Sequence, residues 1–415
     1  MDERKDNGLN RQYVTGLITG LIISAFAVVV FLVAKYVVDN RVITRMLATD
    51  SQIQASGVTF KDKDFKDKVS EINKNIDLWF LNDTDESDVV EGAYKGMVNA
   101  LDDPYSEYYT ADEYRTVLES TSGTYKGIGV GVKTNADTGE LVAVKVYDDS
   151  PAEKAGMKQD DIIVSINGTD VTGMDINDAV QLIRDAKSDN ISLVIKRGDE
   201  KINVDVERTD IDANTVASKM YDGGVGYILL AGFEGVSTNQ FAQAVNSLKE
   251  QGMKKLIIDI RDNPGGRLDV VCDILDLFVD KDKILVYTKD KYGKGEKCYA
   301  KYDASVKDMP ICILVNGQSA SASEVFAGVM KDYKLATIVG KKTFGKGIVQ
   351  QLFKLSDGSA MKLTVSKYYL PNDENIHDKG IEPDVEVSLP GDAETLDVNM
   401  EDTQFNKAME ILNKE

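Results

Sequence analysis

Between residues 208 and 390, short apolar runs alternate with amphipathic stretches, and this order restricts the fold more than any other feature of the 415 residues. The runs at 255–260 and Ile311–Val315 carry too few polar residues to wet one face, so they read as strands covered on both sides. Val225–Leu230, 337–339 and 360–368 read as further strands. Apolar residues recur at three- and four-residue steps in 238–250, 270–278 and 321–332, the period of a helix with one buried face. Strands alternating with helices predict a layered α/β domain over 208–390. A chain of this length exceeds what one hydrophobic core supports, so further domains are expected.

They are visible upstream. Over 119–207 the texture is of short strands and turns. Gly127-Ile128-Gly129-Val130 opens it, Ser150-Pro151-Ala152-Glu153 has the cap, first-turn proline and N3 acid of a helix start, and 176–183 is an amphipathic helix. Residues 191–196 and 201–206 close a hairpin around Arg197-Gly198-Asp199. Over 61–118 the period is helical, through Val69, Ile72, Ile76, Trp79 and Phe80 and again from Val89 to Leu101, until Asp102-Asp103-Pro104 interrupts it. Residues 14–34 carry no charge over a length that would cross a bilayer as a helix, which predicts a transmembrane anchor. Residues 1–13 would then be a cytoplasmic tail and 35–60 a tether. The acidic remainder would lie on the extracytoplasmic side of a cell membrane. The final segment, 391–415, is acid-rich and ends in one apolar helical stripe of Phe405, Ala408, Met409, Ile411 and Leu412, read as a docking helix.

Composition removes several chemistries. With 49 basic and 69 acidic residues the net charge is −20, and no basic field is available for a nucleic-acid backbone. The single histidine, His377, cannot build a two-histidine zinc site, and a Ser-His-Asp triad would have to use it alone. Cys272, Cys298 and Cys312 form no C-x-x-C pair, and neither a metal nor a cofactor is implied.

Three segments remain as candidates. In Ser319-Ala320-Ser321-Ala322-Ser323-Glu324, a strand and a glycine turn lead to tiny residues at a helix start. A hydroxyl there is uncrowded, and first-turn N–H groups point outward to meet an oxyanion; a plain capping box at Ser321 and Glu324 is the alternative. In Thr343-Phe344-Gly345-Lys346-Gly347, a lysine between glycines and near apolar residues is placed for desolvation, which lowers its proton affinity; a surface turn is the alternative. With histidine nearly absent, a Ser-Lys pair is the remaining way to activate a serine. The stretch from Gly340 to Lys346 also fits a phosphate-binding loop, but Gly347 stands where a magnesium-binding hydroxyl belongs, which disfavours a nucleotide hydrolase. In Arg261-Asp262-Asn263-Pro264-Gly265-Gly266, a strand running into Pro-Gly-Gly brings bare backbone N–H groups close to a ligand; an ordinary tight turn is the alternative.

Together these segments resemble the carboxy-terminal processing peptidases, the tail-specific serine proteases of family S41 that carry a PDZ module. Asp103-Pro104-Tyr105-Ser106, Gly127-Ile128-Gly129-Val130 and Gly380-Ile381-Glu382-Pro383-Asp384 are further family-like blocks. To the transmembrane helix and helical region read above, the resemblance, which covers about Asp88 to Pro390, adds a PDZ domain and a protease core of crotonase/ClpP-like type, making a multi-domain chain. It implies Ser321 as nucleophile, Lys346 as general base, Gln350 as the residue orienting the lysine, and the N–H groups of Gly266 and Ala322 as the oxyanion hole. Gly127, Ile128, Gly129 and Val130 would capture the terminal carboxylate of protein or peptide substrates with apolar C-termini. Arg184, at the end of the PDZ helix, is a regulatory candidate for coupling tail binding to the protease. A homo-oligomer stays open, and a catalytically silent PDZ scaffold or chaperone is the competing reading.

Overall fold

The structure is a computed structural model that describes residues 62–136, 138–147, 149–396 and 400–414. It divides into two units, residues 1–84 and 85–415. The first unit contributes one described helix, α1 (Asp62–Trp79), with charged residues spread around its length. The membrane-spanning helix expected at 14–34, with its tail and tether, lies outside the described residues. Among the described residues no helix is long and apolar enough to cross a membrane, so the transmembrane element is removed from the fold class. What stands is a multi-domain chain with a PDZ-like sheet and an α/β body.

The second unit starts with α2 (Glu86–Asn99), capped by the Asp85 carboxylate. Next come β1 (Glu107–Tyr109) and α3 (Ala111–Ser122). Thr110 and Glu113 form a reciprocal capping box at the start of α3, and Gly123 ends it in the left-handed region. β1 breaks the expected helical run: it pairs with a strand more than 250 residues later, and three residues are too few to display a period.

The module that follows comprises β2 (Thr124–Gly127), β3 (Val130–Thr134), β4 (Leu141–Val146), α4 (Pro151–Lys154), β5 (Ile162–Ile166), β6 (Thr169–Asp170), α5 (Ile176–Arg184), β7 (Asn190–Arg197), β8 (Glu200–Glu207) and β9 (Thr209–Asp212). Its sheet runs β3-β4-β5-β7-β8, which leaves β3 on an edge. Alternating inward residues (Leu141, Ile163, Ile191, Leu193, Ile195) close a core of their own with Ala179 of α5. β2 and β9 pair only with each other, as an antiparallel ribbon at the neck of the module. The ribbon ends at Ala213, whose N–H donates to Gly123 O at 2.7 Å.

Within this module Asp161 is fully buried and receives both Arg197 Nε, at 2.7 Å, and Arg197 Nη2, at 2.8 Å. Burial alone would raise its pKa, but the Arg197 hydrogen bonds and charge hold the carboxyl below its ordinary value. A depressed carboxyl contributes stability that is complete above its unfolded pKa and is lost as pH falls through the folded one. Asp161→Asn should therefore cost about 1–3 kcal/mol near neutrality and flatten the loss of stability in acid. Urea unfolding at pH 7 and pH 3 checks both; equal losses at the two pH values would count against the ion pair.

The body is formed by β10 (Val216–Tyr221), β11 (Val225–Leu230), α6 (Ser237–Glu250), β12 (Lys255–Asp259), α7 (Leu268–Leu275), β13 (Ile284–Asp290), β14 (Lys297–Tyr299), β15 (Ile311–Val315), α8 (Ala322–Asp332), β16 (Thr337–Gly340), β17 (Ile348–Lys354), β18 (Ala360–Tyr369), β19 (Val385–Glu386) and α9 (Thr403–Leu412). One sheet runs β10-β11-β12-β15-β16-β19, parallel except for the β10–β11 pair. Its strands are apolar on both faces because both are covered. Ile258, Ile313 and Ile338 enter the main core with residues of α6, α7 and α8, whereas Ile257, Cys312, Leu314 and Val339 meet Ala408 and Leu412 of α9. A second sheet joins β1, β18, β13 and β14, with β17 also on β18.

Candidate active site

β15 leaves the buried sheet at Val315 and the chain turns through Asn316-Gly317-Gln318 before α8 begins. Ser319 fixes this turn from inside: its hydroxyl donates to Ile260 O at 2.8 Å, and Asn316 N–H donates to it at 3.1 Å. Ser321 then sits at φ 56° and ψ −113°, a strained conformation that presents a side chain at the tip of a strand-to-helix turn. Gly265 lies against this turn so closely that a Cβ on it would stand 2.6 Å from Ala320 O and 2.9 Å from Ala322 N. Only a glycine fits there, and its φ of 105° adds a second reason. The Pro-Gly-Gly segment and the start of α8 thus share one small volume. Among the described residues, neither Gly266 N–H nor Ala322 N–H donates to another backbone group.

Opposite them a cavity of about 520 Å³ is lined by Ser321, Ala322, Gly265, Gly266, Gln350 and Tyr368, with Val325, Val349 and Leu352 supplying apolar wall. Thr121 and Val117 of α3 also line it, so the helix before the PDZ-like module borders the site. His377 is not among the lining residues.

The lysine segment is docked onto the serine turn by one buried carboxylate. Glu324, with no exposed surface, accepts from Ser321 N–H at 2.8 Å, Thr343 Oγ1 at 2.6 Å, Gly345 N–H at 2.7 Å and Lys346 N–H at 2.8 Å. Tyr368, also buried, closes the other side: its hydroxyl donates to Lys346 O at 2.6 Å and reaches Ser321 O at 3.1 Å. Lys346 is half-buried. Burial pushes its pKa down and the Lys362 ammonium pushes the same way, while Asp103 and Glu324 pull up; the net shift is downward.

The structure brings Ser321, Ala322, Gly266 and Gln350 to one cavity, with the backbone of Lys346 beside it. It does not bring the side chains into the expected chain of contacts. Among the described residues Lys346 Nζ hydrogen-bonds to neither Ser321 nor Gln350; it lies 4.5 Å from the centroid of the Tyr105 ring. Gln350 Nε2 instead donates to Thr364 Oγ1 at 3.2 Å. Tyr105 stands in a family-like block and Tyr368 at the end of a strand in the sequence, but no local period marks their contacts with Lys346 and Ser321. Glu324 was visible only as a capping residue, and half of that role holds, since its carboxylate accepts the Ser321 N–H.

Gly127, Ile128, Gly129 and Val130 lie where β2 passes into the edge strand β3. Ile128 O and Gly129 O are used by Ala152 N–H and Tyr147 N–H, at 2.9 and 3.1 Å. Arg184 closes α5 with its guanidinium 5.9 Å from the Tyr125 ring. Behind the Pro-Gly-Gly segment, Arg261 is buried between Asp259 and Asp402, with Gln404 on Nη1, which ties β12 to α9.

Comparison with known proteins agrees with this geometry. The model of peptidase family S41 matches residues 224–387, that of a PDZ domain residues 142–197, and that of the activating protease CtpB N-terminal domain residues 21–113. The last begins inside the uncharged run at 14–34. The carboxy-terminal processing protease CtpA of Bacillus subtilis (strain 168) is 37% identical over 325 residues, spanning 78% of this chain and 69% of that protein. A probable CtpA-like serine protease of Staphylococcus aureus (strain COL) is 36% identical over 338 residues, 81% of this chain and 67% of that one. Among solved structures, the photosystem II D1 C-terminal processing protease aligns over 77% of this chain and 86% of its own, at 29% identity and a TM-score of 0.45. The chain belongs to peptidase family S41, as a PDZ-containing carboxy-terminal processing serine protease.

Proposed function

We propose that this serine protease works as an endopeptidase through a Ser321–Lys346 dyad and selects proteins by their C-terminal tails. Ser321 attacks the scissile carbonyl, neutral Lys346 takes the hydroxyl proton, and Gly266 and Ala322 N–H groups receive the oxyanion. Gln350 orients the lysine once the side chains close up, a tightening that is common between free and substrate-bound enzymes. The observation that carries the reading is the shared cavity: a strained, half-buried serine and two undonated N–H groups on one wall, with the segment of a desolvated lysine pinned to the serine turn by Glu324. The substrate tail adds as a strand to the open edge of β3, with its carboxylate at Gly127, Ile128, Gly129 and Val130. Arg184, at the end of the helix beside that groove, relays occupancy to the body.

The test mixes the full chain with one peptide ending in Ala-Ala, as the free acid and as the C-terminal amide. The free acid is expected to be cut at least about tenfold faster, the value of one charge-assisted carboxylate contact, and Ser321→Ala should cut neither. Equal rates for acid and amide would remove tail recognition while leaving the protease.

A further inference from the structure

The base lysine rests on a residue more than 200 positions away. Asp103-Pro104-Tyr105-Ser106 forms a tight turn in which Asp103 accepts from Ser106 Oγ at 2.6 Å and Tyr105 N–H at 3.1 Å. Ser106 Oγ in turn accepts from Thr364 N–H at 3.1 Å, and β1 continues directly along β18 from there. The turn is therefore fixed to the strand whose Thr364 also holds Gln350. From this position the Tyr105 ring faces Lys346 Nζ at 4.5 Å, within the range of a cation–π contact.

We propose that the Asp103–Tyr105 turn is a positioning element of the catalytic base, the seat on which the protonated Lys346 rests between proton transfers. The proposal deepens the dyad reading and rests on it. In the acylation step the Ser321 Oγ–H proton passes to Nζ as the Oγ–C bond forms and the carbonyl π pair becomes the oxyanion. Collapse then breaks the C–N bond, and Nζ returns that proton to the leaving amine. Between those events Nζ carries a full charge in a half-buried site. Tyr105 offers a π face and Asp103 a carboxylate. The other groups facing the lysine are the Lys362 ammonium, which opposes its charge, the Glu324 carboxylate, which favours it, and the Tyr368 hydroxyl, which is taken by the Lys346 carbonyl. Lys362 is itself drawn to Glu107 at 3.0 Å and to Tyr109, one strand further on.

Whatever steadies the ammonium raises the pH at which the base becomes neutral. The wild-type rate should accordingly rise with pH along an acid limb. The test measures kcat/KM from pH 6 to 10 on the free-acid peptide with full-length wild type, Tyr105→Leu, Tyr105→Phe and Asp103→Asn. Tyr105→Leu is expected to move the midpoint of the limb down by roughly half a pH unit, the equivalent of one exposed cation–π contact. Tyr105→Phe, which keeps the ring, should hold the midpoint, and Asp103→Asn should move it down as well. A Leu limb that superposes on wild type overturns the seat, as does a Phe limb displaced as far as the Leu one. Should Tyr105→Leu fail to fold by thermal melting, Asp103→Asn decides alone, and an unmoved midpoint overturns the proposal. Lys346→Ala separates the two levels. If it cuts like wild type and wild type has no acid limb, the dyad itself falls. If it is dead, the limb is present and the Tyr105 and Asp103 variants leave it unmoved, only the seat falls.

Discussion

Lys346→Ala should fold as wild type does and lose on the order of 10⁴-fold in kcat, with little change in KM. Stability should hold because the Nζ being removed makes no hydrogen bond or ion pair among the described residues. The segment is held instead by its backbone, through Lys346 N–H to Glu324 and Lys346 O to Tyr368. A half-buried ammonium beside Lys362 is a cost to the fold, so its removal should leave the melting temperature level or slightly higher. Rate falls because the proposed base is gone: His377 does not line the cavity, and Lys362, which does, is held by Glu107 and Tyr109. Steady-state kinetics with a thermal melt checks both halves. Activity within tenfold of wild type would remove Lys346 from the mechanism.

The opposite profile is expected at Glu324, where structure and activity should fall together. Glu324 is fully buried, and its two oxygens serve four donors. Glu324→Ala strands those donors, at a cost of about 3–5 kcal/mol for a buried charged acceptor with its partners left behind. For a body of this size that is a fall of roughly 10 °C in melting temperature. The activity lost at temperatures where the variant is still folded measures the second effect, the release of the lysine segment from the serine turn. Glu324→Gln keeps one good acceptor and should lose less on both counts. A melting temperature for Glu324→Ala within about 2 °C of wild type would contradict the staple.

The body was readable in the sequence where burial is two-sided. Ile311–Val315 and the run beginning at Lys255 are strands because nothing in them tolerates water, and α6 shows the helical period that its buried Phe241, Ala244, Val245 and Leu248 require. The segments holding Ser321, Lys346 and Gly266 stood out for another reason, since tiny residues and glycines at the ends of such elements mark places where backbone comes close; the roles expected of these residues came from the family resemblance. The partners of these residues were not legible. β1 has three residues and finds its register on β18 only in three dimensions. Tyr368 reads as one more aromatic in a strand, and its hydroxyl acquires meaning only when two carbonyls from distant loops meet it. Tyr105 lies before the PDZ-like module, and contact with Lys346 requires the chain to leave, build that module and return. Local patterns report which way a side chain faces; they carry no information on which distant segment will be there.

The return itself has a further consequence. The chain enters the module through β2 and leaves it through β9, side by side, and the bond from Ala213 N–H to Gly123 O holds the two crossing points 2.7 Å apart. The protease body is thus topologically whole without the intervening residues: cutting there and rejoining leaves no gap to span. A neck of this kind makes the PDZ module a cassette: a different module joined at the same two points leaves the active site of the body unaltered.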